Sequence, residues 1–80
     1  MNGLTGPKWI GLALKGRRIM KGMLLEDLAS KTGLSVSYIS LIERALRIPS
    51  LTVFLTLCLW LDIEPSELLK MAEQLESESE

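Results

Sequence analysis

The sequence predicts an all-α fold, a compact domain of five short helices. Three observations point that way. Apolar residues recur at three- and four-residue steps through successive segments, which is the spacing of one helical face. The segments are bounded by residues that suit helix ends: Gly22 and Gly33 as stops, Ser35 and Ser50 as starts, Pro65 at a first helical position. Eighty residues make one domain and no more.

Residues 1–7 hold two glycines and a proline with little periodicity, and read as a flexible arm. The first helix runs from Lys8 to about Lys21, with Trp9, Leu12, Leu14 and Ile19 among its apolar residues. Gly11 and Gly16 weaken its intrinsic preference. A short second helix, Leu25–Thr32, sets Leu25, Leu28 and Ala29 on one face. Gly33 stops it, and Ser35 caps a third helix from Val36 to about Arg44, where Ile39 and Ile42 share a face. Ala45–Pro49 is a loop, because Pro49 pushes Ile48 away from helical geometry. Ser50 opens a fourth helix, Leu51–Leu61, and Pro65 a fifth, to about Leu75. The helical domain is thus residues 8–76. Residues 77–80, alternating Ser and Glu, read as a disordered acidic tail.

Composition narrows the function. The chain has no His, so the commonest general base and the commonest metal ligand are missing. No metal-ligand spacing or Gly-rich phosphate loop is present, so the reading is no enzyme, no metal and no cofactor. The single cysteine, Cys58, sits in an apolar run and reads as a small hydrophobe. The longest apolar stretch has eleven residues, where a membrane-spanning helix needs about twenty. With no signal-peptide pattern either, the expected place is the cytoplasm, away from membranes. Nor is there room for a separate effector domain, so no small-molecule effector is expected.

The net charge of −1 hides a division. Residues 1–50 carry eight basic and three acidic groups, and residues 51–80 carry Lys70 against seven acids. A basic front and an acidic back make an oriented molecule whose front can meet phosphate.

The segment LEDLASKTGLSVSYISLIER, Leu25–Arg44, concentrates the information. Two short helices are joined at Thr32–Ser35, where Gly33 supplies the positive φ of a tight turn. Ala29 is small where the helices approach, and Leu28, Leu34, Ile39 and Ile42 are spaced to lock the pair onto one core. Together with Arg18, the pattern LxxLAxxxG from Leu25 to Gly33, SxSYIS from Ser35 to Ser40, IER at Ile42–Arg44, Pro49-Ser50 and the Leu61–Leu69 stretch, this resembles the phage repressor and Cro-like helix-turn-helix proteins. The resemblance covers about Leu14 to Leu69.

That resemblance implies a double-stranded DNA partner, with the third helix in the major groove. By position, Ser35, Val36, Ser37, Ser40 and Leu41 would face base edges. Arg44 and Arg47 would run along the phosphate backbone, with Lys15 and Lys31, and also Arg17 and Lys21, adding to the field. Arg18 and Glu43 match a structural ion pair joining helix one to the end of helix three. The chain also departs from the family. Leu25 stands where Gln is usual, Leu24 where a capping Ser is common, Val36 and Leu41 where Arg, Gln or Lys often read bases, and Ala45 where Gly is usual. Either the site reads DNA through Ser hydroxyls and apolar contact with thymine methyls, or the face serves a protein partner.

The fourth helix, LTVFLTLCLWL, is apolar almost all round. Leu51, Phe54, Leu57, Cys58 and Leu61 suit the domain core. Val53, Leu55, Leu59 and Trp60 are left for a second surface, which implies a homodimer. The expectation is therefore a homodimeric regulator of transcription, a repressor acting on its own promoter or others through a palindromic operator. The alternative is a protein-interaction module, such as an antitoxin-like partner with weak or no DNA binding.

Overall fold

The computed structural model describes residues 6–79. Among the described residues five helices follow one another: α1 Pro7–Met20, α2 Leu25–Thr32, α3 Val36–Glu43, α4 Leu51–Trp60 and α5 Pro65–Glu78. No strand occurs among the described residues. The helix starts follow local chemistry. Pro7 and Pro65 occupy the first helical positions of α1 and α5. The Ser35 and Ser50 hydroxyls accept hydrogen bonds from Tyr38 N (3.0 Å) and Val53 N (3.2 Å). Leu24 cannot cap α2 with its side chain. The start is instead held from the other side, where Leu24 N donates to Asp27 Oδ2 at 2.8 Å. Gly33 ends α2 at φ +79°, a left-handed conformation that glycine adopts without strain.

Among the described residues eleven side chains form the core: Ala13 and Leu14 of α1, Leu28, Ile39 and Ile42, then Phe54, Leu57 and Cys58 of α4, Leu61, and Leu68 and Ala72 of α5. α1 packs along α5 and against α3, α2 lies on α3 and α4, and α4 closes on α5. Burial in this apolar setting pushes the Cys58 thiol up to about 11, so it carries no thiolate near neutral pH.

Gly11 allows α1 to lie against the end of α3. A Cβ placed there would stand 2.5 Å from the Ile42 carbonyl oxygen and 2.8 Å from that of Glu43. The glycine that costs α1 helix propensity is thus required by packing. Among the described residues two that are not glycine adopt positive φ, Ala45 at 62° and Asp62 at 56°, each just after a helix end.

Three sequence expectations change. Leu51 does not join the core stripe of α4: it is 72% exposed. And α5 continues to Glu78, beyond Leu75 and into the segment expected to be a disordered tail. Leu, Glu, Gln and Ala favour helix, and Gln74 Nε2 reaches Glu78 Oε2 at 3.3 Å. Pro7, the last residue of the expected arm, is the first of α1, while residues 1–5 and Glu80 lie outside the described residues.

Candidate nucleic-acid interface

α2 and α3 meet across the Gly33 turn. Thr32 Oγ1 donates to the Leu28 carbonyl at 2.8 Å and accepts from Leu34 N at 3.2 Å, which ties the turn to the end of α2. Leu28, Ile39 and Ile42 are each about 1% exposed and lock both helices to the core. The opposite side of α3 is thereby turned outward.

The sequence-predicted reading residues divide along α3. Ser35, Val36 and Ser37, at its start, are exposed, whereas Ser40 and Leu41, one turn on, are half-buried. Ser35 both caps the helix and stands at its outward end. A helix start also carries unpaired N–H groups and a partial positive charge, which suit an anion. Apolar side chains share this end, with Leu24 65% and Val36 36% exposed.

Cations gather at the other end of α3. Arg44 Nε donates to Ser40 Oγ at 3.3 Å, which steadies the guanidinium over its own helix. The backbone then folds back: Leu46 N and Arg47 N both donate to the Leu41 carbonyl, at 2.9 and 3.3 Å. Arg47 is thereby presented on a tied loop with its side chain exposed. Lys15 shares a shallow hollow with Arg44, Glu43 and Ala45. Lys31 stands apart, its Nζ 5.8 Å from the centroid of the Trp60 ring on α4.

Arg18 and Glu43 come together as a bidentate pair, Nε to Oε2 at 2.7 Å and Nη2 to Oε1 at 3.0 Å. The third donor, Nη1, reaches the Met23 carbonyl at 2.8 Å. One guanidinium thus joins α1, the α1–α2 turn and the end of α3. Its pKa is raised above the ordinary arginine value, chiefly by the hydrogen bond to Glu43, with burial opposing. The pair sits inside the domain, where it orients α3.

Sequence reasoning missed the role of Arg17. Its Nε donates to the Leu61 carbonyl at 2.9 Å and Nη2 to the Asp62 carbonyl at 2.7 Å, holding the end of α4. Lys21 pairs with Asp62 at 3.5 Å. Neither residue points its charge at the α3 face. The clue was a helix ending without Gly, where orphan carbonyls call for a donor.

On the predicted second surface, Val53 packs against the core of its own chain. Leu55 and Trp60 are each 44% exposed and Leu59 is 72% exposed.

The helix-turn-helix family profile matches residues 14–68. A comparison with curated proteins finds no match. Among solved structures, the chain is similar to the restriction-modification controller protein C.AhdI from Aeromonas hydrophila: 42% identity, 78% of this chain and 94% of that one covered, TM-score 0.74. It is similar to SinR, a master regulator for biofilm formation solved in complex with DNA: 39% identity, 75% and 97% covered, TM-score 0.70. It is also similar to the clp gene regulator ClgR from Corynebacterium glutamicum, with 26% identity, 91% and 78% covered and a TM-score of 0.88. The chain belongs to the Cro and phage-repressor type of helix-turn-helix family, the DNA-binding regulators of transcription.

Proposed function

We propose that this chain is a homodimeric repressor that reads a palindromic operator with α3 in the major groove, and that it acts in the cytoplasm, on its own promoter among others, without a small-molecule effector. The observation that carries the reading is the arrangement of α3 itself. Ser35, Val36 and Ser37 stand exposed at its start, Arg44 and Arg47 stand exposed beyond its end, and the Arg18–Glu43 pair holds it in place. Base edges are then met by hydroxyls and by the aliphatic side chains of Val36 and the half-buried Leu41, and phosphates by guanidiniums. The likeness to SinR, solved with DNA, favours a duplex partner.

Few bidentate base contacts are available to such a surface. Discrimination per base is therefore modest, with thymine methyls against Val36 and Leu41, and DNA shape contributes the rest. Most of the affinity comes from phosphates and falls steeply with salt.

Selection of random duplexes by the purified protein tests this. The expected result is an enriched palindrome with half-sites about one helical turn, or 34–36 Å, apart. Enrichment of nothing, with only weak salt-sensitive binding to any duplex, would overturn it. The exposed Leu24 and Val36 would then favour a protein partner on the same face.

A further inference from the structure

One face of α1 is left outward. Lys8, Leu12, Lys15, Gly16 and Ile19 fall within about 100° of one another around the helix, with Met20 at the far edge. Both lysines are exposed, and Leu12, Ile19 and Met20 are 39%, 58% and 70% exposed. Gly16 lowers the helix propensity of α1, yet a Cβ there would meet nothing within 4 Å. Gly11 is required by the approach of α3, whereas nothing among the described residues requires Gly16.

The charge on this face has one sign. α1 contains no acidic residue, and its two arginines are spent inside the domain, Arg17 on the end of α4 and Arg18 on Glu43. Lys8 and Lys15 remain, and Arg44 joins them: the three line a shallow hollow of about 290 Å³ with Leu12 in its wall. Glu43 also lines it, but both of its carboxylate oxygens are held by Arg18. The Lys8 ammonium lies 4.8 Å from the centroid of the Trp9 ring. Among the described residues no carboxylate forms an ion pair with Lys8, Lys15 or Arg44.

We infer that this face receives an acidic amphipathic helix of another protein, and that such a helix competes with DNA for Arg44. Gly16 is the point of closest approach, where a partner backbone can lie against α1 without meeting a side chain. Leu12 and Ile19, one turn to either side, hold the apolar seam of the incoming helix. Lys8, Lys15 and Arg44, along the edge nearer α3, pair with its carboxylates. The exposed aliphatic groups favour a protein over a phosphate backbone, which offers them no apolar contact, and the cations favour an acidic helix over a neutral one. The docking face stands independently of the operator. The competition rests on the function proposed above, which assigns Arg44 to phosphate, and it gives a repressor without a small-molecule effector a macromolecular means of release.

A display library of helical peptides about twenty residues long, randomised on one face, tests this by selection on the full chain. The winners, labelled with a fluorophore, are expected to carry Glu and Asp beside an apolar seam. Gly16→Gln, which meets nothing in its own chain, and Lys15→Glu are each expected to weaken them about tenfold or more. Ser37→Ala should leave peptide binding unchanged, and saturating peptide should displace the selected operator duplex. Winners that bind Gly16→Gln as tightly as wild type, winners without acidic residues, or no winners at all would overturn the docking face. So would Lys15-dependent binding to vesicles of equal parts phosphatidylglycerol and phosphatidylcholine in place of peptide, or loss of duplex binding in Gly16→Gln, which would give the face to lipid or to DNA. Peptide and duplex bound together would overturn the competition. A chain that takes peptide but no duplex would overturn the operator and leave the docking face standing.

Discussion

Arg18 and Glu43 face each other through two parallel hydrogen bonds of 2.7 and 3.0 Å, with side chains only 10% and 5% exposed. They lie 25 residues apart in sequence, on α1 and at the last position of α3. Truncating either partner strands a charge in the interior. Arg18→Met or Glu43→Leu alone should therefore lower the unfolding free energy by about 3–5 kcal/mol. The double substitution should recover much of that loss, because no charge is left unpaired. Denaturant unfolding of the three variants measures this, and a double variant as unstable as the summed singles would contradict it.

Gly11 and Gly16 sit in the same helix with opposite surroundings. A Cβ at Gly11 meets two carbonyl oxygens of α3, while nothing lies within 4 Å of one at Gly16. Gly16→Ala is therefore expected to stabilise by about 0.5–1 kcal/mol through helix propensity alone. Gly11→Ala should destabilise by about 1–3 kcal/mol, because backbone must move to admit the methyl. Equal effects of one sign in thermal unfolding would refute the close approach of α1 to α3.

Ala45 holds φ at 62°, in a region that costs a residue with a Cβ about 1–2 kcal/mol. Part of that strain is offset because alanine restricts the unfolded chain more than glycine does. Ala45→Gly should raise stability by about 0.5–1 kcal/mol. An unchanged or lowered melting temperature would mean that the Ala45 methyl contributes packing worth as much as the strain.

Arg47 and Ser37 separate positioning from reading. Arg47→Ala is expected to weaken binding to all duplexes alike and to reduce the salt slope by about 1. Ser37→Ala should leave the slope alone and relax preference at one base pair. Ser37→Glu and Arg47→Glu should each abolish binding with the fold intact. Binding isotherms on the selected operator and on a scrambled duplex, at several salt concentrations, distinguish the two roles.

Much of this architecture was legible because local chemistry wrote it. Gly33, Ser35, Ser50 and Pro65 mark helix ends through backbone and capping requirements that act within four residues, and α2 ends, and α3, α4 and α5 start, where those signals lie. The charge of Arg18 and Glu43 could be matched only through the resemblance to a family, since nothing local joins residues 25 apart. What stayed hidden was tertiary. Arg17 looked like one more surface cation until α4 was placed with its last carbonyls beside it. Leu51 fits the core period of α4 yet lies outside, because period gives a face and not what packs against it. The length of α5 was underestimated because a polar run of Glu and Ser suggests a tail, while the same residues remain compatible with a helix already under way.

Arg17 and Arg18 are neighbours on α1 that reach in different directions. One grips the end of α4, the other the end of α3. Two successive residues of a single helix thus brace the end of the helix that would read bases and the end of α4. In the homodimer proposed above, α3 would meet the duplex already held by this brace rather than oriented by the DNA. Such a brace would turn spacing into information: a half-site shifted by one base pair is rotated by about a tenth of a turn as well as displaced, and a reading helix held in place would meet the wrong base edges.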